Sequence, residues 1–344
     1  MVVQIRSVTR AWSAVAIVLV AALTSGMRPA PAQDFYKAKT LTLFAGQPPG
    51  GGIDGEMRLV AHYLGKFLPG DPAVVARNMP GAGGMILGNY LYSVAKPDGL
   101  TLGMPGRTGF TLAPIVSAAD VKYDLRKFTW IGSSASSNFV LWMRRQANVG
   151  SFDDLRNARR QIVIAGSGST TANSIMPEVL AKYEKLPIKV VRGYPGISDA
   201  ILAVERGEAD GVLCQRASVR ADLISSGAVV PVFQILPVEP GVPLLESYIT
   251  DRRERALLEL LSAPQHLGLA MIAPPGVPEE LTRILRRSDL NMVNGKDYRD
   301  EAIKRGFDVG RPNTGEELAD YVANKLMTFP AETIREYRDY VERQ

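Results

Sequence analysis

The sequence predicts an α/β protein of two lobes, each a mainly parallel sheet flanked by helices. Three observations carry this. Strand-like and helix-like patterns alternate along most of the chain. Glycine-rich or hydroxyl-rich turns stand where a strand hands over to a helix. The 344 residues suffice for two domains, and 46% hydrophobic content beside 22% charge supplies their cores.

In chain order, the first element is a targeting segment. Arg6 and Arg10 form a positive region, Ala11 to Leu23 an apolar run, and Ala30-Pro31-Ala32 an A-x-A cleavage site before Gln33. Residues 1–32 are therefore read as a signal peptide cleaved near Ala32, whose apolar run is too short to span a bilayer. Without Arg6, Arg10 and Arg28 the formal charge falls from +5 to +2, so net charge gives no case for nucleic acid as a partner. Cys214, the only cysteine, has no partner for an intramolecular disulfide and reads as a buried strand residue.

The stretch Thr40 to Leu68 sets the plan. Leu41, Leu43, Phe44 and Ala45 form a short apolar strand, and Met57, Val60, Ala61, Leu64 and Leu68 recur at helical spacing. Between them Gln47, Pro48, Pro49, Gly50, Gly51, Gly52, Ile53 and Asp54 make a turn with few obstructing side chains. Backbone N–H groups at such a strand-to-helix turn favour an anion, while Asp54 has the alternative role of helix cap. Ala73 to Arg77 reads as a second strand, followed by a second turn through Gly81, Ala82, Gly83 and Gly84 and a helical pattern from Met85 to Ala95. Two such turns on neighbouring parallel strands share the edge where open α/β sheets take ligands.

A third strand, Thr101 to Met104, ends at Pro105-Gly106-Arg107-Thr108-Gly109. Phe128 to Gly132 and Phe139 to Arg144 are further strands, separated by a polar segment that includes Ser134. The pattern then repeats. Gln161 to Ala165 is a strand, Ser167, Ser169, Thr170, Thr171 and Asn173 belong to a hydroxyl-rich turn, and a helix follows. Ile188 to Val191 leads into a turn with Tyr194, Pro195 and Gly196, then a helix at Ala200 to Arg206 and a strand at Gly211 to Cys214 that ends at Gln215 and Arg216. Val229 to Leu236 reads as a late strand, Thr250 to Leu261 as a helix, Gln265 to Ala273 as the strand that crosses back, and Leu281 onward as helices packed on the first lobe.

QPPGGGID after the first strand, NMPGAGG after the second and AKPDGLTLGMPG after the second helix resemble the extracytoplasmic solute-binding receptors of tripartite tricarboxylate transporters, the Bug receptors. GSGSTTANS, the acidic element from Gly207 to Asp210 and APPGVPEEL extend the resemblance through the mature chain. It implies a type II-like periplasmic-binding-protein fold with a hinge of two crossover segments. Lobe 1 would comprise residues 33–138 plus 266–344, and lobe 2 residues 139–265. The implied function is capture of a small carboxylate in the interlobe cleft by a monomeric periplasmic receptor, which delivers it to membrane permease subunits. No enzyme activity, cofactor or metal is implied.

Departures from the family pattern concern specificity. Met79 stands where arginine is usual, which removes one cation, and Arg107, Arg192 and Arg216 are candidates to supply another. Dicarboxylates, tricarboxylates, aromatic acids and acidic amino acids all stay open as ligands. Signals for catalysis are poor. His62 and His266 have no metal-ligand partner at the usual spacing, and neither a phosphate loop nor a nucleophile elbow occurs. The alternatives are an exported α/β enzyme acting on a small carboxylic acid, or a ligand sensor without a cognate permease.

Overall fold

The computed structural model describes residues 35–50, 52–115, 120–135, 139–166, 171–194, 196–237, 239–307 and 309–342. The signal peptide expected at 1–32 lies outside them. Among the described residues no helix is long and apolar enough to cross a membrane.

The first lobe opens with strand β1 (Thr40–Ala45), helix α1 (Gly52–Phe67), strand β2 (Ala73–Asn78), helix α2 (Met85–Ser93), strand β3 (Thr101–Met104) and the short helix α3 (Thr108–Leu112). Successive residues of β1 point to opposite faces. Leu41, Leu43 and Ala45 therefore meet Met57, Val60 and Leu64 of α1, whereas Phe44 meets Leu87 and Leu91 of α2. The apolar run is explained by helices covering both faces, as a parallel sheet requires. Strand β4 (Thr129–Ser133) completes this segment.

The chain then enters the second lobe through β5 (Phe139–Arg144), followed by α4 (Phe152–Asn157), β6 (Ile162–Ala165), α5 (Ala172–Tyr183), β7 (Ile188–Val191), α6 (Ile197–Arg206), β8 (Gly211–Gln215), α7 (Ala221–Ser225) and β9 (Val229–Gln234). Helix α8 (Arg252–Leu267) leads back to β10 (Ala270–Ala273), and α9 (Glu279–Asn294), α10 (Lys296–Lys304), β11 (Asn313–Thr314), α11 (Gly315–Asn324) and α12 (Ala331–Glu342) finish the described chain.

One sheet has the order β11-β4-β10-β3-β1-β2 and the other β7-β6-β8-β5-β9. In each, the strand arriving from the other lobe runs against its neighbours. β10 is antiparallel to β3 and β4, and β5 is antiparallel to β8 and β9. The short edge strand β11 is also antiparallel to β4, whereas β1–β2, β1–β3, β6–β7 and β6–β8 are parallel. The two returning segments touch at Gly268, which has φ 62° and lies so close to the Ala135 carbonyl that a Cβ has no room.

Two expectations need correction. Gln265 to Leu267 belong to α8, so the returning strand starts only at Ala270. Apolar content alone cannot separate a buried helix end from a buried strand. The short helices α4 and α7 carried too few turns for their periodicity to stand out. Nor do all helices after Leu281 pack on the first lobe. Helix α12 packs against α8, and its Glu336 accepts hydrogen bonds from Lys182 Nζ at 2.8 Å and Tyr183 Oη at 2.6 Å on α5. One apolar core consequently runs from Phe44 and Leu91 in the first lobe, through Leu257, Leu260 and Leu261 of α8, to Leu141, Ile164 and Leu180 in the second.

Candidate functional site

The parallel strands of both lobes end at a cavity of about 390 Å³. From the first lobe it is lined by Gln47 after β1, Ile53 in the first turn of α1, Gly83 in the second glycine turn, and Arg107, Thr108 and Gly109 after β3. From the second lobe come Thr171, Ala172 and Asn173 at the start of α5, Ile197 at the start of α6, and Leu213, Cys214, Gln215 and Ser218 at the end of β8. Phe139 at the head of β5 and Gln265 of α8 close the ring. Helices α5 and α6 thus begin at the cavity. Backbone N–H groups in a first helical turn lack intrahelical acceptors, and the helix dipole adds positive potential there.

The two glycine turns are neighbours, because β1 and β2 pair in parallel with Ala45 opposite Asn78. A buried carboxylate joins them. Asp54 accepts from Gly50 N at 2.9 Å, from Arg58 Nε at 3.0 Å and from Asn78 Nδ2 at 2.7 Å. Asn78 Nδ2 also donates to Gln47 O at 2.9 Å. The Arg58 hydrogen bond, with those from Gly50 and Asn78, holds the Asp54 carboxyl down at about 2. Asp54 and the Gly50 amide therefore serve the turn itself. Gly83 abuts the turn after β3: at φ 62°, a Cβ there would approach Gly109 Cα to 2.9 Å. Glycine at that point lets the second turn and the Arg107 segment share one wall.

Of the three candidate arginines, only Arg107 lines the cavity. It stands at the N-cap of α3, half-buried, with its Nε buried and without a hydrogen-bond partner. Among the described residues it is also the only charged side chain in the lining. Arg192 pairs with Glu178 on α5, and Arg216 with Glu239 at 3.2 Å. Met79 packs on the apolar core.

The structure brings Gln47, Ile53, Gly83, Arg107, Thr108, Thr171, Asn173 and Gln215 together. It does not bring Pro48, Gly50, Gly52, Gly81, Ala82, Gly84, Tyr194, Gly196 or Arg216 into the lining. Ser134 is removed from it by its own hydrogen bond, donated at 2.6 Å to the buried Glu56. Tyr194 packs on the second lobe's core, and Gly196 serves as N-cap of α6. Gly51, Ser167, Ser169, Thr170 and Pro195 lie outside the described residues. Phe139, Ile197, Cys214, Ser218 and Gln265 went unrecognised in the sequence. The rule that ligands sit at strand ends points to Cys214 and Ser218, whereas Gln265 arrives on a helix from afar and carries no local signal. Burial keeps Cys214 1% exposed and pushes its thiol up to about 12.

The acidic element ending at Asp210 plays the Asp54 role in the second lobe. Asp210 accepts from Arg160 Nη1 at 2.7 Å, Arg160 Nη2 at 3.0 Å and Val163 N at 2.9 Å. Burial pushes this carboxyl up, but Arg160 and the Val163 amide more than offset that and hold it below its ordinary range.

A second cavity of about 320 Å³ lies between the segment after β9, helix α8 and helix α11, with Leu236, Leu258 and Tyr321 in its wall. Its charged lining residues are of both signs, Glu246 and Glu259 beside Arg255 and Lys325, so it has no bias toward anions.

The sequence profile of the tripartite tricarboxylate transporter family receptor matches residues 57–237, just over half of the chain. The chain belongs to that family. Solved structures agree on the receptor's two-lobed α/β fold. It is similar to a TctC solute-binding protein from Polaromonas solved without ligand, with a TM-score of 0.69 and 17% identity over 90% of this chain and 100% of that one. It is also similar to MatC from Rhodopseudomonas palustris with bound malate, at TM-score 0.56 and 21% identity over 88% and 99% of the two chains. A further Rhodopseudomonas palustris protein, solved with adipate, aligns at TM-score 0.55 and 16% identity over 88% and 96%. No curated protein matches this receptor by sequence.

Proposed function

We propose that this receptor captures a small carboxylate in the cavity between its lobes and hands it to the membrane permease of a tripartite transporter. The observation that carries the reading is the cavity lining itself. Arg107 is its single charged group among the described residues, and helices α5 and α6 both begin there. Hydrogen bonds from a guanidinium and from backbone amides to a carboxylate are charge-assisted, about twice as strong as neutral ones, and suited to capture from dilute solution. The malate and adipate held by the two Rhodopseudomonas palustris proteins support a carboxylate as the ligand class.

In this reading the protein works as a monomer in the periplasm, after loss of residues 1–32. Lobe 1 (33–138 plus 266–344, of which helix α12 reaches across to α5 and α8) and lobe 2 (139–265) close on the ligand by bending where the chain passes near Ala135 and Gly268. Closure follows because the closed form alone lets both lobes touch the guest. Family membership supports the permease as partner and a binding role in place of a catalytic one.

The test is a thermal-shift screen of the exported protein, purified from the periplasm, against mono-, di- and tricarboxylates. A ligand at ~100 times its dissociation constant stabilises by about 2.7 kcal/mol, well within detection. A screen without a hit across these classes rejects the reading.

A further inference from the structure

Glu254, in the first turn of α8, is the most deeply buried carboxyl group among the described residues, with 0% exposure. Neither of its oxygens has a hydrogen-bond partner among the protein's donors. The amides of this helix start are already taken, because the N-cap Asp251 accepts from Arg253 N at 2.8 Å and from Glu254 N at 2.9 Å. Across from Glu254, within hydrogen-bond reach, stands Glu184, the C-cap of α5. Glu184 is held in turn by Arg156 of α4, whose Nη2 lies 2.5 Å from Glu184 Oε2 and also donates to Tyr248 O at 3.3 Å. The other neighbours of α8 bring no further donor. Glu336 of α12 is turned to Lys182 and Tyr183, and α3 contains no titratable side chain. Among the described residues no three acidic, histidine or cysteine side chains converge as a metal site, so the species that fits between the two carboxyl groups is a proton.

We propose that Glu254 keeps its proton in the folded protein and donates it to Glu184, so that α4, α5 and α8 are latched together by a hydrogen bond that alkaline solution removes. The reason is that two facing carboxyl groups withdrawn from water, with no donor between them, cannot both ionise. Glu184 has Arg156 to neutralise it; Glu254 has nothing. Burial, reinforced by the charges of Glu184 and Asp251 and opposed by Arg156, pushes the Glu254 carboxyl up to about 8. Above that pH the proton passes to solvent and leaves two carboxylates facing one guanidinium. The consequence reaches the cavity through α8, whose last turn places Gln265 in the cavity wall. At ~1.5 Å rise per residue the latch lies about 16 Å along the helix from Gln265 and braces it from the far end.

Linkage fixes the sign of the effect. Between the unfolded value near 4.5 and about 8, the native state holds a proton that the unfolded chain has released, so stability falls with pH across that window and the loss is complete above it. The experiment compares the mature wild type with Glu254→Gln, whose amide can donate to Glu184 at every pH. In urea unfolding, the ratio of the wild-type folding constant to that of the variant should fall by up to ~10-fold per pH unit between about pH 5 and 8 and then level off. Amide exchange of residues 252–258, compared at equal pH, should match in the two proteins at pH 6 and be at least ~10-fold faster in the wild type at pH 9. Infrared difference spectra should show one protonated-carboxyl band at pH 6 that is absent from Glu254→Gln and fades through about pH 8. In a second variant, Glu184→Gln, the amide can donate to an ionised Glu254, so the band and the pH dependence should both disappear. A pH-independent stability ratio, or spectra without the band, overturns the proposal. A pH dependence that survives in Glu184→Gln assigns the proton to burial alone and overturns the latch. Exchange rates that stay equal at pH 9 overturn the bracing of α8.

Discussion

Replacing Asp54 by alanine tests whether the first glycine turn is held by a charge. The carboxylate is buried and takes hydrogen bonds from Gly50, Arg58 and Asn78, which ties helix α1 to both glycine turns. Its pKa is lowered from 3.8 to about 2. At 1.36 kcal/mol per pH unit, that bounds the advantage of the ionised form at about 2.4 kcal/mol. The Arg58 side chain is 46% exposed, so solvent screening reduces the figure to about 1–2 kcal/mol. The sign follows from linkage. A lowered folded-state pKa gives stability that is fully present above the unfolded value near 3.8 and is lost as the pH falls through about 2. Urea unfolding followed by tryptophan fluorescence should therefore show Asp54→Ala less stable by about 1–2 kcal/mol at pH 5 and at pH 7, with the gap narrowing below pH 4. A variant as stable as the wild type at pH 7, or a gap that widens in acid, refutes the clamp.

Two further outcomes follow from buried groups elsewhere. Burial pushes the Asp289 carboxyl on α9 up to about 7. This raised pKa makes the residue a cost that is absent below the unfolded value near 3.8, grows through the interval between the two values and is complete above about 7. Asp289→Asn should stabilise the protein by about 1–3 kcal/mol at pH 8 and by nothing measurable near pH 4, read from urea midpoints at the two pH values. Cys214 is buried with its thiol pushed up to about 12, so a disulfide-exchange reagent should label it only in denaturant, although it borders the cavity between the lobes. Rapid labelling of the native protein at pH 8 counts against that geometry.

Much of the architecture was legible because it is local. The β1 run Leu41, Leu43, Phe44 and Ala45, the helical stripe behind it, and the turns at Gly50 and Gly81 announce strand, helix and handover through spacing and composition alone, and the fold has them within a residue or two. Ambiguity arose where one composition suits two states, as at Gln265 to Leu267, which proved to end a helix.

Residue order by itself determined that the chain is α/β, that glycine and hydroxyl turns follow its strands, and that an anion suits such turns. Tertiary structure decided which of those groups face the cavity. Arg107, Arg192 and Arg216 are alike in sequence, yet Glu178 and Glu239 engage two of them and leave Arg107 in the cavity wall. Asp54 and Ser134 sit in polar segments that look accessible, but each is drawn into a hydrogen bond with a residue 24 or 78 positions away. The physical reason is range: backbone propensity acts over a few neighbours, while the partner that claims a charge or a hydroxyl is chosen by sheets and helices that meet only once the chain has folded.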